Sequence, residues 1–372
     1  MNYGILLLNA SDIFGGGEYY TLTLAREFTS RGYMVYVGCD GNSDIFKKAN
    51  SYSISTFAVK FKGSRNSLNT LRFLVSFLKQ KSVGLIHTNT SADRTIGALA
   101  SYICGSKHIT SCHSLESMSY NLTHYIRNKY LTNAFIADGE TIRDLLIRRN
   151  HIPPEKIFVI NNGIDHTKYK RDNKLRDITR KALGLSDKDI LIGNVARMVP
   201  FKGHDYLLKG FKKLTGRHHN VKLILVGSGE LEAELKNLTL DLNLNDRVIF
   251  TGYSEELNSL YSAMDIYIQP SLSEGGELFP YSVLYAMSHA LPIVVTCSGD
   301  MPFIIDDGIN GFVIPDKNPA IICESLSYLI KDENKRNEFG NKASRKLSEK
   351  YSLKKMCDDT EKLYNIILNS DR

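Results

Sequence analysis

Ile190-Leu-Ile-Gly-Asn-Val-Ala-Arg-Met-Val-Pro-Phe-Lys-Gly203 reads as a short apolar strand, Ile190–Val195, a loop carrying two cations, and the start of a helix. An apolar strand with no polar alternation is buried on both faces, which places it inside a parallel sheet covered by helices. The same alternation continues on both sides. Downstream, strands are expected at Lys222–Val226, Val248–Phe250, Ile266–Gln269, Ile293–Thr296 and Gly311–Val313, separated by helical patterns. Upstream they are expected at Gly4–Leu8, Met34–Val37, Leu85–His87, His108–Ser111, Phe135–Ala137 and Ile157–Ile160. The polar stretch His166–Asp177 divides the two series and is read as the linker. Two doubly wound α/β domains follow, with ligands expected at the C-terminal ends of the strands.

The 372 residues suffice for two cores. With 42% hydrophobic and 23% charged residues, a disordered or fibrous chain is excluded. No apolar run reaches the roughly 18–20 residues that span a bilayer, and Met1–Ala10 lacks the basic start of a signal peptide. Six scattered cysteines without a CxxC pair fit a reducing, cytoplasmic setting.

The net charge of +7 is unevenly spread. Residues 1–170 carry 20 Lys+Arg against 12 Asp+Glu, and residues 46–129 alone carry 12 against 2. Such a one-sided excess suits an anionic partner, a lipid surface or a nucleic acid, or is simply a solvated face. The pattern Ser67–Gln80 sets Leu68, Leu71, Leu74, Val75 and Leu78 on one helical face, with Arg72, Lys79 and Lys81 toward the other side. A terminal helix, Lys354–Leu368, is expected to pack through Met356, Leu363, Ile366 and Ile367.

Three segments can carry chemistry. Gly15-Gly-Gly-Glu18 follows the first strand and opens a helix, so its backbone N–H groups can approach an anion. Asp40 ends the second strand where a dinucleotide fold would hold a ribose, but Tyr20 takes the third glycine position and the fingerprint fails. Arg197 and Lys202 can clamp a diphosphate, each contact worth roughly 4 kcal/mol before desolvation at an effective dielectric near 20. Pro270-Ser-Leu-Ser-Glu-Gly-Gly-Glu-Leu-Phe-Pro280 is an acidic, glycine-rich loop before a helix, suited to hydroxyls and an anion. Asp187-Lys-Asp189 precedes a strand, away from the ligand end of the sheet, and is assigned no metal.

In this order the segments resemble glycosyltransferase family 4, retaining enzymes of the two-domain GT-B fold. Val159–Asp165, Leu223–Gly229, Val248–Gly252, Leu291–Val294 and Asp307–Val313 extend the resemblance over nearly the whole chain. It implies a donor domain at 168–354 and an acceptor-side domain at 1–167, facing each other across a central cleft, with helix 355–372 returning to the first. By resemblance, Arg197 and Lys202 are the diphosphate clamp, Gly16 and Gly17 close on the donor, and His113 lies near donor sugar and acceptor. Gly252 and Tyr253 lie where the family holds the base, and Leu278, Phe279 and Pro280 line the donor. The family's paired-glutamate motif is half present. Counting back from Tyr285 gives Glu277 as its first member, whereas counting forward from Pro270 gives Glu274; the first register is preferred. The second position, normally a ribose ligand, is Tyr285.

The resemblance therefore implies a metal-independent hexosyl transfer from a nucleotide-diphospho-sugar, with no resident cofactor. The acceptor is expected to be a lipid-linked glycan or a lipopolysaccharide or polysaccharide precursor. The partner is expected to be an anionic membrane surface on the cytoplasmic face rather than a nucleic acid. Two other readings fit the same residues: a catalytically weak homologue that binds a partner, and a GT-B sugar-nucleotide epimerase.

Overall fold

The computed structural model describes residues 3–12, 14–61, 64–113, 122–275 and 277–370. Met1, Asn2 and, in the acidic loop, Gly276 lie outside the described residues. The chain divides into two units, 1–162 with 355–372, and 163–354.

The first unit holds seven parallel strands: β1 Gly4–Asn9, β2 Met34–Cys39, β3 Ser55–Ala58, β4 Val83–Thr88, β5 Lys107–Cys112, β6 Ala134–Ala137 and β7 Ile157–Val159. Their order is β3-β2-β1-β4-β5-β6-β7, so the winding reverses between β1 and β4. Leu6, Leu8 and Ile86 pack with Leu74 and Leu78 of the helix Ser64–Gln80. Leu68, assigned to that apolar face, is instead exposed in the second turn of the helix. Strand β3 is absent from the sequence reading: it is a four-residue edge strand with no fully buried side chain, so it carries no continuous apolar run.

The helix Leu353–Asn369 belongs almost wholly to the first unit. Arg31 holds Asp358 and Glu361 at 2.9 and 2.5 Å, and the buried His87 meets the Tyr364 hydroxyl at 2.6 Å. Met356, Leu363 and Ile367 are buried as expected; Ile366 faces solvent and Tyr364 takes the inward position.

The second unit holds β8 Ile190–Val195, β9 Val221–Val226, β10 Val248–Gly252, β11 Ile266–Gln269, β12 Ile293–Thr296 and β13 Gly311–Ile314, in the parallel order β10-β9-β8-β11-β12-β13. Successive residues of each strand enter opposite cores. Leu191, Ile224, Tyr267 and Ile293 go to one, and Ile192, Leu223, Ile268 and Val294 to the other. This two-sided burial is why the strands read as unbroken apolar runs. The winding reverses between β8 and β11. The stretch His166–Asp177 lies within this unit: Tyr169 packs edge-on against Tyr285, and Asp172 caps the helix Asn173–Ala182.

Candidate active site

In the second unit the loops after β8 and β11 leave the sheet side by side at the reversal, where open parallel sheets form ligand crevices. They are laced together. Asn194 donates its amide to the Ile268 carbonyl at 2.8 Å, and the Leu272 N–H reaches the Phe201 carbonyl at 2.7 Å. Gly203 has φ +68°, and a Cβ there would stand 2.1 Å from the Pro270 carbonyl oxygen. Only glycine allows both that backbone and that approach.

This lacing brings Lys202 to Glu277. Their ion pair is 2.5 Å long, and the side chains are only 12% and 8% exposed. The same Glu277 oxygen accepts from Ser271 Oγ at 2.5 Å and Gln269 Nε2 at 3.4 Å. The Glu277 backbone is clasped too: its N–H donates to Ser298 Oγ, and its carbonyl accepts from the Asp300 N–H. Gly299, at φ +52°, passes so close that a Cβ would lie 1.6 Å from the Glu277 carbonyl oxygen. Glu274 stands apart, exposed and paired with Lys317 at 2.5 Å.

Arg197 is exposed, and its guanidinium makes no hydrogen bond or ion pair among the described residues. Lys202, the other cation of the expected clamp, is mostly buried and already paired with Glu277. Gly252 closes β10 at φ +69°, and Tyr253 beyond it is exposed. Leu278 is half-buried, Phe279 turns inward against Tyr351, and Pro280 caps the helix Tyr281–Ser288. Tyr285 is 6% exposed; its ring stacks on Tyr261 at 5.6 Å and meets Tyr169 at 4.9 Å. His204, which the sequence reading passed over, is buried beside this loop with neither ring nitrogen partnered. Burial and then the Lys202 charge push its pKa down to about 4, so it is neutral at pH 7.

In the first unit the loop after β1 leads into the helix Gly16–Ser30, whose first turn is closed by Glu18 accepting from the Gly15 N–H at 2.8 Å. A Cβ on Gly17 would meet the His113 ring at 3.7 Å, so these two expected site residues are neighbours. His113 follows β5 and Asp138 follows β6, directly beyond the paired Cys112 and Ala137. His113 Nδ1 therefore lies 3.6 Å from Asp138 Oδ2, while the Tyr20 ring packs edge-on to the imidazole at 4.7 Å. His113 Nε2 and Asp138 Oδ1 are both buried without a hydrogen-bond partner. Asp138 is the second residue that sequence reasoning missed.

Asp189 of the Asp187-Lys-Asp189 motif accepts from the Ser186 N–H and hydroxyl, closing the turn before β8. No group of three or more metal-ligating side chains occurs among the described residues. All six cysteines are free, and no helix among the described residues is long and apolar enough to cross a membrane.

A crevice at the reversal between β8 and β11, on a chain of two Rossmann-like units, is the architecture of the GT-B glycosyltransferases. Comparison with known proteins gives the family. The model for glycosyl transferases group 1 matches residues 176–346, and that for glycosyltransferase family 4 matches residues 14–168. The chain belongs to glycosyltransferase family 4. It is 25% identical to an uncharacterized glycosyltransferase of Methanocaldococcus jannaschii, over 96% of this chain and 95% of that one. It is 24% identical to the UDP-Gal:alpha-D-GlcNAc-diphosphoundecaprenol alpha-1,3-galactosyltransferase of Escherichia coli, over 80% of this chain and 79% of the relative. Among solved structures, Anabaena Alr3699/HepE in complex with UDP has the same fold, with a TM-score of 0.87 at 21% identity over 98% of this chain and 100% of that one.

Proposed function

We propose that the protein transfers a hexose, with retention, from a nucleotide-diphospho-sugar to a lipid-linked glycan or a lipopolysaccharide or polysaccharide precursor of the bacterial cell envelope. The observation that carries this reading is the pairing of Lys202 with Glu277 across adjoining loops, with Arg197, unpartnered among the described residues, on the first of those loops. One strand-end loop then supplies a free cation for the diphosphate, and the next supplies a carboxylate for the sugar hydroxyls. Arg197 and Lys202 offset the charge that develops on the leaving diphosphate, acting as preorganised electrostatics. The acceptor hydroxyl attacks on the face from which the diphosphate leaves, with His113 beside the donor sugar. The lipid acceptor named for the Escherichia coli relative supports the acceptor class.

The reading includes work at the cytoplasmic face of an anionic membrane. Leu99, Tyr102 and Ile103 of the helix Ser91–Cys104 are exposed, as are Leu122, Tyr125 and Ile126 of the helix Leu122–Ile126 and Tyr130 just after it. Arg127 joins the two segments by donating to Thr95 Oγ1 at 2.8 Å, and Lys129 lies 5.3 Å from the ring centres of both Tyr125 and Tyr130. Apolar and aromatic side chains beside a cation suit the headgroup layer.

The test is incubation with a panel of nucleotide sugars, with and without a short-chain N-acetylglucosaminyl diphospholipid, in buffer and in excess chelator. The expected result is acceptor-dependent nucleotide diphosphate release that persists in chelator, with the donor's anomeric configuration kept in the product. Isomerisation of the donor without acceptor would establish the epimerase reading instead. Nucleotide binding without turnover would establish the catalytically weak homologue.

A further inference from the structure

Two cavities lie side by side in the first unit and share Lys60. One, of about 190 Å³, is lined by Ala10, Asp12, Asp40, Lys60 and Phe61. The other, of about 210 Å³, is lined by Ala58, Val59, Lys60, Asn69, Thr70 and Phe73. Ala10, Asp40 and Val59 follow the last residues of β1, β2 and β3, three neighbours in the sheet, so both cavities open at its ligand-binding edge.

The walls are fixed, and Asp40, Lys60 and Asn69 keep polar atoms for a ligand. The Ala10 N–H is held by Asp93 Oδ2 at 3.1 Å, and the Lys60 carbonyl accepts from Thr70 Oγ1 at 2.7 Å. Asp40 uses Oδ1 to accept from the Asn42 N–H at 2.9 Å, which leaves Oδ2 for a ligand. Lys60 and the Asn69 amide have no partner among the described residues. Phe73 is 45% exposed and braced by Phe57 at 5.5 Å, so part of its ring faces outward, and Phe61 is half-buried in the neighbouring wall.

A carboxylate oxygen of Asp40 that accepts, an ammonium and an amide that donate, and two aromatic rings answer the needs of one ligand class. A pyranose offers hydroxyls around its rim and C–H groups on its faces. An apolar ligand would leave Asp40, Lys60 and Asn69 unpaired, and an anionic one would meet Asp12 and Asp40. We propose that the two cavities hold two consecutive sugar units of an uncharged glycan segment, with Lys60 bridging them. That this glycan is the acceptor rests on the transfer activity proposed above; the sugar binding itself does not.

The test is a printed array of bacterial envelope oligosaccharides probed with the full chain, with UDP binding followed in parallel by thermal shift. Uncharged oligosaccharides of two or more units are expected to bind. Lys60→Ala and Asp40→Asn should each weaken binding by at least about tenfold, the loss of one charge-assisted hydrogen bond. Both should leave the unfolding midpoint unchanged, since Lys60 is exposed and asparagine keeps the acceptor for the Asn42 N–H. Array binding that is absent, equal in the variants, or confined to anionic glycans would overturn the proposal. Variant-sensitive glycan binding by a chain that ignores UDP would uphold the cavities while removing the donor reading.

Discussion

Lys202 and Glu277 meet at 2.5 Å although they are 75 residues apart, each delivered by the loop after one of the two strands at which the second sheet reverses. Two functions meet in that pair. Each charge of the largely buried pair offsets part of the other's desolvation. Lys202→Ala is expected to cut turnover by at least about 10²-fold. It should also cost about 2 kcal/mol of stability: the Ser271 and Gln269 donors spare Glu277 part of the penalty of a stranded buried charge. Steady-state transfer and chemical unfolding read the two effects separately.

Arg197 provides the contrast. It is exposed and unpartnered among the described residues, so Arg197→Ala should lose as much activity while leaving stability within about 0.5 kcal/mol of wild type. A near-normal rate in a folded Arg197→Ala protein would remove it from the diphosphate site.

The second unit was the more legible in the sequence because its strands are buried on both faces and bounded by loops rich in glycine, proline and charge. Ile190–Val195, Ile266–Gln269 and Ile293–Thr296 have the same limits in sequence and structure. β3 could not be read, since a half-exposed edge strand has neither a run nor an alternation to detect. Asp138 was invisible for a different reason. Its approach to His113 is set by the pairing of β5 with β6, and pairing is a property of the sheet rather than of either segment. The aromatic surroundings of Tyr285 come from Tyr169 and Tyr261, which no local pattern connects to it.

His113 Nδ1 lies 3.6 Å from Asp138 Oδ2, so a small closure would let the carboxylate hold the Nδ1–H tautomer and leave Nε2 with a lone pair. Asp138→Asn should lower kcat by about 10- to 100-fold with donor KM nearly constant, and should add nothing in a His113→Ala background. Nitrogen NMR of His113 should show the Nδ1–H tautomer in the wild type and a mixture in the variant. An unchanged tautomer would show that Asp138 does not act through the histidine.

If the exposed side chains around Tyr130 meet a membrane, charge and apolar burial contribute separately. Lys129→Glu should weaken binding to vesicles rich in anionic lipid, more strongly at low salt than near physiological ionic strength, where screening acts over about 8 Å. Leu122→Ser with Ile126→Ser should weaken binding equally at both salt concentrations, since the loss is of apolar burial. Co-sedimentation with anionic and neutral vesicles gives both numbers. Equal binding to the two vesicle types by the wild type would contradict the electrostatic half of the idea.

In the motif register that begins at Glu277, Tyr285 takes the place of the second glutamate, and its surroundings decide what restoring that glutamate would do. On sequence alone, Tyr285→Glu should tighten nucleotide binding, because a carboxylate accepts from both ribose hydroxyls where a phenol offers one neutral oxygen. The structure adds a stability cost to that substitution. The ring is 6% exposed, stacked on Tyr261 and edge-on to Tyr169, within the core that also holds Phe279 and Val283. A glutamate there loses both ring contacts and carries its charge among aromatic side chains. A loss of about 3 kcal/mol is expected, enough to lower the melting temperature by several degrees. Tyr285→Phe, which keeps the ring, should stay within about 1 kcal/mol of wild type. The two variants measured with and without saturating UDP separate the roles. If UDP restores most of the melting temperature of Tyr285→Glu, the carboxylate has reached the ribose and the motif register is right. If UDP shifts wild type and Tyr285→Glu equally, position 285 has become a core position in this chain and the nucleotide is held by other groups.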